Sequence, residues 1–317
     1  MLRAALLAAV ACCACSNTTP ERRAAVDASG ADADVVMVEE RVDSGDASLF
    51  VRRRGPPGAA QTLLLLHGGP GLSSRYLRKL EELASARRSV VSFDQRGAGQ
   101  STVKPDAAFD MKAYVDDVEA VRRHAAAERV VLVAHSWGGL IAWAYVAAHR
   151  SQVEGVVLIG ALAATRTPNN EARDRLLAKV ALLQKQGKIP TPLPGPEGDD
   201  CMPGVLAVAP AYFHDPSFPV PEDMTATTCS QAASNATNTA VFFPGYDFSS
   251  ALDYAGPVHV VFGESDPLGT ALGSHIRASL TATQASFDVI PKAGHSPWFE
   301  SDDSLFASLR AALEAGQ

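Results

Sequence analysis

Two short apolar runs constrain this chain more than any other feature. Thr62–Leu66 and Val130–Ala134 carry no charge and no polar alternation, the pattern of strands buried on both faces. Each breaks off into a turn rich in small residues, and helix-like sequence follows. Ser89–Phe93 and Val153–Ile159 read as further strands, with helices predicted over about 74–87, 111–127 and 138–149. Within 111–127, Tyr114, Val118 and Val121 fall at helical spacing. Val35–Val42 and Ser48–Arg53 read as an opening antiparallel pair. Strands alternating with helices predict a mostly parallel central sheet with helices on both faces. Such sheets hold their functional residues at the carboxyl ends of the strands.

The rhythm fails after about Ala163. Residues 164–187 look helical, and 189–250 are rich in Pro, Gly, Ser, Thr and Asn without strand alternation. It returns with a strand at Val258–Phe262, a helix over about 270–282, a strand at Ala285–Ile290 and a last helix over about 298–314. The expected organisation is a core in two parts, 35–162 and 253–317, split by a cap inserted at 163–252. With 317 residues and 47% apolar content, one large core plus an insertion can be buried without a second independent domain. A net charge of −7 speaks against nucleic acid as a partner.

Residues 1–34 stand apart. One positive charge at Arg3, an apolar run from Ala4 to Ala11, and small residues before Cys12 describe a secretory signal. Ala9-Val10-Ala11-Cys12 resembles the lipobox of bacterial lipoproteins, with Cys13 and Cys15 as alternative lipidated positions. A plain signal peptide is the other reading. Residues 16–34 read as a flexible tether. The expectation is an exported bacterial protein, periplasmic or held to a membrane through an N-terminal lipid. No later stretch approaches the roughly 20 apolar residues that span a bilayer. Cys201 and Cys229 remain, and export favours one disulfide between them over two buried thiols. Its loop of 28 residues would contribute on the order of 3 kcal/mol in the chain-entropy model.

The strand ends carry the chemistry. Ala134-His135-Ser136-Trp137-Gly138-Gly139 lies between a buried strand and a helix, the setting of a nucleophile elbow. Ala134 stands where the motif usually has Gly, at the cost of one methyl group. A serine needs a base. Of eight histidines, His295 alone sits past a late strand on a loop before a helix; His67 and His135 belong to other motifs. Asp266 ends the preceding core strand and would hold the imidazole in one tautomer, with Glu264 as the nearby competitor. The order Ser136, Asp266, His295 is that of the α/β-hydrolases. His67-Gly68-Gly69-Pro70-Gly71 follows the first buried strand, so the amides of Gly69 and Trp137 would form an oxyanion hole. One such donor is typically worth about 3 kcal/mol of barrier. The turn lacks the phosphate-loop pattern, and Asp94–Ser101 reads as structural. Ser136 at the elbow disfavours dehalogenase or epoxide-hydrolase chemistry, which places Asp there. No metal or organic cofactor is expected.

These residues resemble the proline iminopeptidase family of α/β-hydrolases: HGGPG (67–71), DQRGAGQS (94–101), HSWGG (135–139), GESD (263–266) and GHSPWFE (294–300). The resemblance implies a serine aminopeptidase that releases N-terminal residues, proline preferred, from small peptides. A carboxylesterase or amidase on small esters uses the same machinery, and a catalytically silent tethered binding protein is a third reading. Family members hold the substrate's ammonium with cap carboxylates. Residues 189–250 carry seven acidic residues and no Lys or Arg, which suits a cationic substrate terminus as readily as a solvated acidic loop. Tyr212, Phe213, Phe242 and Phe243 read as anchors of the cap or as lining of an apolar pocket.

Overall fold

The computed structural model describes residues 36–281 and 284–315. The signal-like segment, with Cys12, Cys13 and Cys15, lies outside the described residues. The strands are β1 (Met37–Ser44), β2 (Ala47–Arg54), β3 (Gln61–Leu66), β4 (Arg88–Phe93), β5 (Thr102–Val103), β6 (Val130–His135), β7 (Val153–Ile159), β8 (Val258–Gly263) and β9 (Ala285–Ile290). They form one sheet in the order β1-β2-β4-β3-β6-β7-β8-β9, with β5 paired to β2. The chain opens antiparallel, and from β4 to β9 every neighbour is parallel. After β3 the chain steps to β4 on one side and later returns as β6 on the other. That reversal opens a crevice at the carboxyl ends of β3 and β6.

Both faces of the sheet are covered, as the apolar runs predict. Leu63, Leu65, Val131 and Val133 point into one core with Trp298, Leu305 and Leu309. Leu64, Leu66, Leu132 and Ala134 point into the other with Val118, Val121 and Trp143. Each fully buried leucine contributes roughly 2 kcal/mol of transfer free energy. The second core is closed by helices α1 (Met111–His124) and α2 (Gly138–His149). Asp110 caps α1 by accepting from the Ala113 amide at 2.9 Å. Arg96 ties the β4 loop to α1 through two bonds to Asp117, both 2.8 Å. Both side chains are buried, so the pair satisfies charges that neither could carry alone.

Two predicted helices take another form. Residues Ser74–Leu83 form a 3-10 helix, whose three residues per turn bring Leu77, Leu80 and Leu83 to one buried face. The last helix is broken at Ser301 into α8 (Pro297–Glu300) and α9 (Asp302–Ala315), where the Ser301 hydroxyl donates to the Pro291 carbonyl at 2.8 Å.

Between β7 and β8 the chain leaves the sheet. This stretch holds α3 (Arg166–Lys185), α4 (Met202–Val208), α5 (Glu222–Thr225), α6 (Gln231–Thr237) and several shorter turns; α7 (Thr270–Ser279) follows β8. Among the described residues it adds no strand to the sheet. Leu183, Ile189 and Ala211 give it a small core of its own. Cys201 and Cys229 are joined in a disulfide with Cα atoms 5.1 Å apart. Replacing both by alanine is expected to lower unfolding free energy by about 3 kcal/mol in the loop-entropy account, read as a shifted urea midpoint.

Candidate active site

Ser136 leaves β6 with φ +56°, in the left-handed region that L-residues rarely adopt. Its amide donates to the Ile159 carbonyl at 3.2 Å, and its own carbonyl accepts from Gly139 and Leu162. Local packing makes Gly138 obligatory, because a Cβ there would lie 2.2 Å from the Leu66 carbonyl oxygen. Ala134, in the other crowded position, is fully buried in the core, which accommodates its methyl group.

The chain places His295 and Asp266 beside one another as expected. His295 Nδ1 lies 2.9 Å from Asp266 Oδ2. A carboxylate only accepts, so Nδ1 carries the proton and Nε2 is the free acceptor of the neutral ring. Asp266 is buried, and its other oxygen accepts from the Leu268 amide at 2.8 Å. Gly160 faces both partners: a Cβ would meet Asp266 Oδ2 at 2.8 Å and His295 Nδ1 at 2.9 Å. Glu264 points elsewhere and accepts from the Lys292 amide at 2.9 Å. Ser136 and His295 line the same cavity of about 290 Å³. No hydrogen bond joins the Ser136 hydroxyl to His295 among the described residues; such contacts often close only around a substrate.

Gly69 lines this cavity, and neither its amide nor that of Trp137 donates to a protein acceptor among the described residues. The Trp137 side chain lies behind the wall, where Nε1 donates to Gln95 Oε1 at 2.9 Å. Gln95 Nε2 donates to the His67 carbonyl at 2.8 Å, and the Gln95 amide donates to His67 Nε2 at 3.0 Å. One side chain therefore links the two loops that carry the candidate oxyanion donors. Asp94 fixes the same region by accepting from the Ser74 amide and hydroxyl and from the Gln100 amide. The structural reading of this loop holds for Asp94 and Arg96, and Gln95 lies closer to the site than the motif indicated.

Several neighbours carried no sequence signal. Tyr76 accepts from the Gly68 amide at 2.6 Å and donates to His135 Nδ1 at 2.8 Å. His135 Nε2 then donates to the His295 carbonyl at 3.0 Å. Burial, with His295 close by, holds His135 well below the usual histidine range, so it stays neutral. The His295 amide donates to the Tyr212 carbonyl at 2.8 Å. Glu300, quoted within a motif but given no role, accepts from the amides of His214, Asp215 and Gly294.

The seven acidic residues of 189–250 do not reach the cavity. The Asp199 carboxylate accepts from Ser230 Oγ and the Ala232 amide, and that of Asp200 from the Met202 amide. Asp215 and Asp247 close turns at Ser217 and Ser249, and Asp223 pairs with Arg75 at 2.9 Å. Glu197 and Glu222 are exposed. Of the four aromatic residues, Tyr212 and Phe213 line the cavity, Phe242 packs against Trp137 and Phe243 is exposed. Among the described residues no three His, Cys, Asp or Glu side chains are grouped to hold a metal ion.

Tyr76→Phe removes one hydroxyl and leaves the Gly68 amide and His135 Nδ1 unpaired in a buried site. It is expected to cost about 1–3 kcal/mol of stability, measured by denaturant titration.

A family model described as alpha/beta hydrolase fold matches residues 61–187. A proline iminopeptidase of Lactobacillus delbrueckii subsp. bulgaricus is 30% identical over 140 residues, 43% of this chain and 48% of that relative. The chain thus spans about half the length of the curated relatives it matches. The crystal structure of a Mycobacterium smegmatis proline iminopeptidase superposes with a TM-score of 0.68 at 23% identity, covering 88% of this chain and 98% of that one. A thermophilic esterase from Thermogutta terrifontis superposes with a TM-score of 0.63 at 22% identity, covering 88% and 98%. The chain has the α/β-hydrolase fold, and its resemblance to proline iminopeptidases extends beyond the short motifs.

Proposed function

We propose that this α/β-hydrolase is a serine hydrolase that cleaves an ester or amide bond of a small substrate through an acyl-enzyme on Ser136. His295 Nε2 takes the Ser136 proton as Oγ attacks the carbonyl carbon, and returns it to the leaving group as the scissile bond breaks. Water, deprotonated by the same nitrogen, then releases the acid and restores Ser136. Asp266 holds the ring in the tautomer this needs, and the Gly69 and Trp137 amides receive the oxyanion. The observation that carries this reading is the strained Ser136 opening onto the cavity that His295 also lines, with Asp266 bonded to the far side of the imidazole.

Two substrate readings share this chemistry. The names of the curated relatives favour an aminopeptidase that releases N-terminal residues, proline preferred. The lining of the cavity, free of Asp and Glu side chains, favours a carboxylesterase or amidase. The signal-like residues 1–15, which lie outside the described residues, support an exported and lipid-tethered protein, and the disulfide fits an oxidising compartment.

A fluorophosphonate probe is expected to label Ser136 in the folded wild type and not in Ser136→Ala. That variant should lose activity by about 10⁶-fold in kcat, and Asp266→Asn by about 10⁴-fold. A folded wild type that resists labelling would leave the silent binding reading in place.

A further inference from the structure

We infer that the acyl side of the substrate is neutral and apolar, and that a free N-terminal ammonium is rejected. The inference rests on the serine-hydrolase reading and sharpens it.

Among the described residues the cavity wall holds no Asp, Glu, Lys or Arg side chain. Its apolar surface comes from the core through Leu72, and from the insertion through Val205, Val208, Ala209, Phe213 and Met224. The Cys201–Cys229 disulfide forms part of the same wall. The side chains of Gln231, Ser234 and Ser296 add only uncharged polar groups. Burial keeps three titratable groups of the wall neutral: it holds His135 uncharged, pushes the Tyr76 phenol up, and pushes the Tyr212 phenol up to about 12.

An ammonium moved into such a wall loses its hydration and gains no carboxylate. That costs several kcal/mol unless the group gives up its proton. The carboxylates that the insertion does carry are turned outward. Asp199 is the most suggestive, since Gln231 beside it lines the cavity, yet its carboxylate already accepts from the Ser230 hydroxyl and the Ala232 amide at the start of α6. Asp223 is taken by Arg75. A neutral acyl chain meets no such penalty and buries apolar surface against Val205, Val208 and Met224.

The test compares two 4-nitroanilides on the full chain at pH 7. One carries a prolyl group, the other its carbocyclic isostere, cyclopentanecarbonyl, so they differ in the ammonium alone. The expected kcat/KM for the cyclopentanecarbonyl compound is at least tenfold higher. Prolyl turnover should rise with pH as its amine, with a pKa of about 8, loses its proton. Equal or faster cleavage of the prolyl compound at pH 7 would overturn the inference. So would failure to cleave either compound by enzyme that the fluorophosphonate labels. In both cases labelling leaves the serine-hydrolase reading standing, whereas absence of labelling removes both.

Discussion

One close approach governs the mouth of this sheet. The first turn of α2 lies against the end of β3, so near that Gly138 has no room for a Cβ beside the Leu66 carbonyl. A backbone that must turn from β6 into a helix within that space forces Ser136 into the left-handed region. The same approach brings the loop after β3 and the end of β6 to one cavity edge, where Gly68, Gly69 and Ser136 meet. Relaxing it would move the serine and Gly69 together.

Around this turn the protein buries two histidines without charging them. His67 accepts from the Gln95 amide, and His135 is clamped between the Tyr76 hydroxyl and the His295 carbonyl. Each ring donates through one nitrogen and accepts through the other, so both remain neutral in a region where an imidazolium would be costly. The Asp266 carboxylate is set deep beside His295, and it is met by the His295 imidazole and the Leu268 amide, with Lys179 on the neighbouring Ser265 carbonyl.

Much of this could be read from the chain. The two apolar runs spell out the parallel core, and the strand-end motifs point to Ser136, Asp266 and His295. These features are local, since a buried strand and a tight turn write themselves into neighbouring residues. The contacts that were not legible span long separations. Tyr76 reaches the Gly68 amide across eight residues and His135 across 59. Glu300 holds amides 86 residues away. A period of three in Leu77, Leu80 and Leu83 was present in the sequence, but an α-helix accepts nearly the same spacing. The acidic bias of the insertion was real as composition and misleading as chemistry. Caps, turns and one ion pair absorb five of the seven carboxylates, and Glu197 and Glu222 face solvent.

The Tyr212 carbonyl belongs to the insertion, yet it receives the amide of His295. Next to it, His214 and Asp215 are fastened to Glu300, and Lys179 reaches from α3 to the carbonyls of Phe213 and Ser265. Residues 212–215 therefore help to seat His295, although they sit in the part of the chain that shapes the cavity. A foreign insertion spliced onto this core would have to reproduce that four-residue backbone. A chimera lacking it would keep the sheet and the serine while the His295 backbone lost the carbonyl that receives its amide.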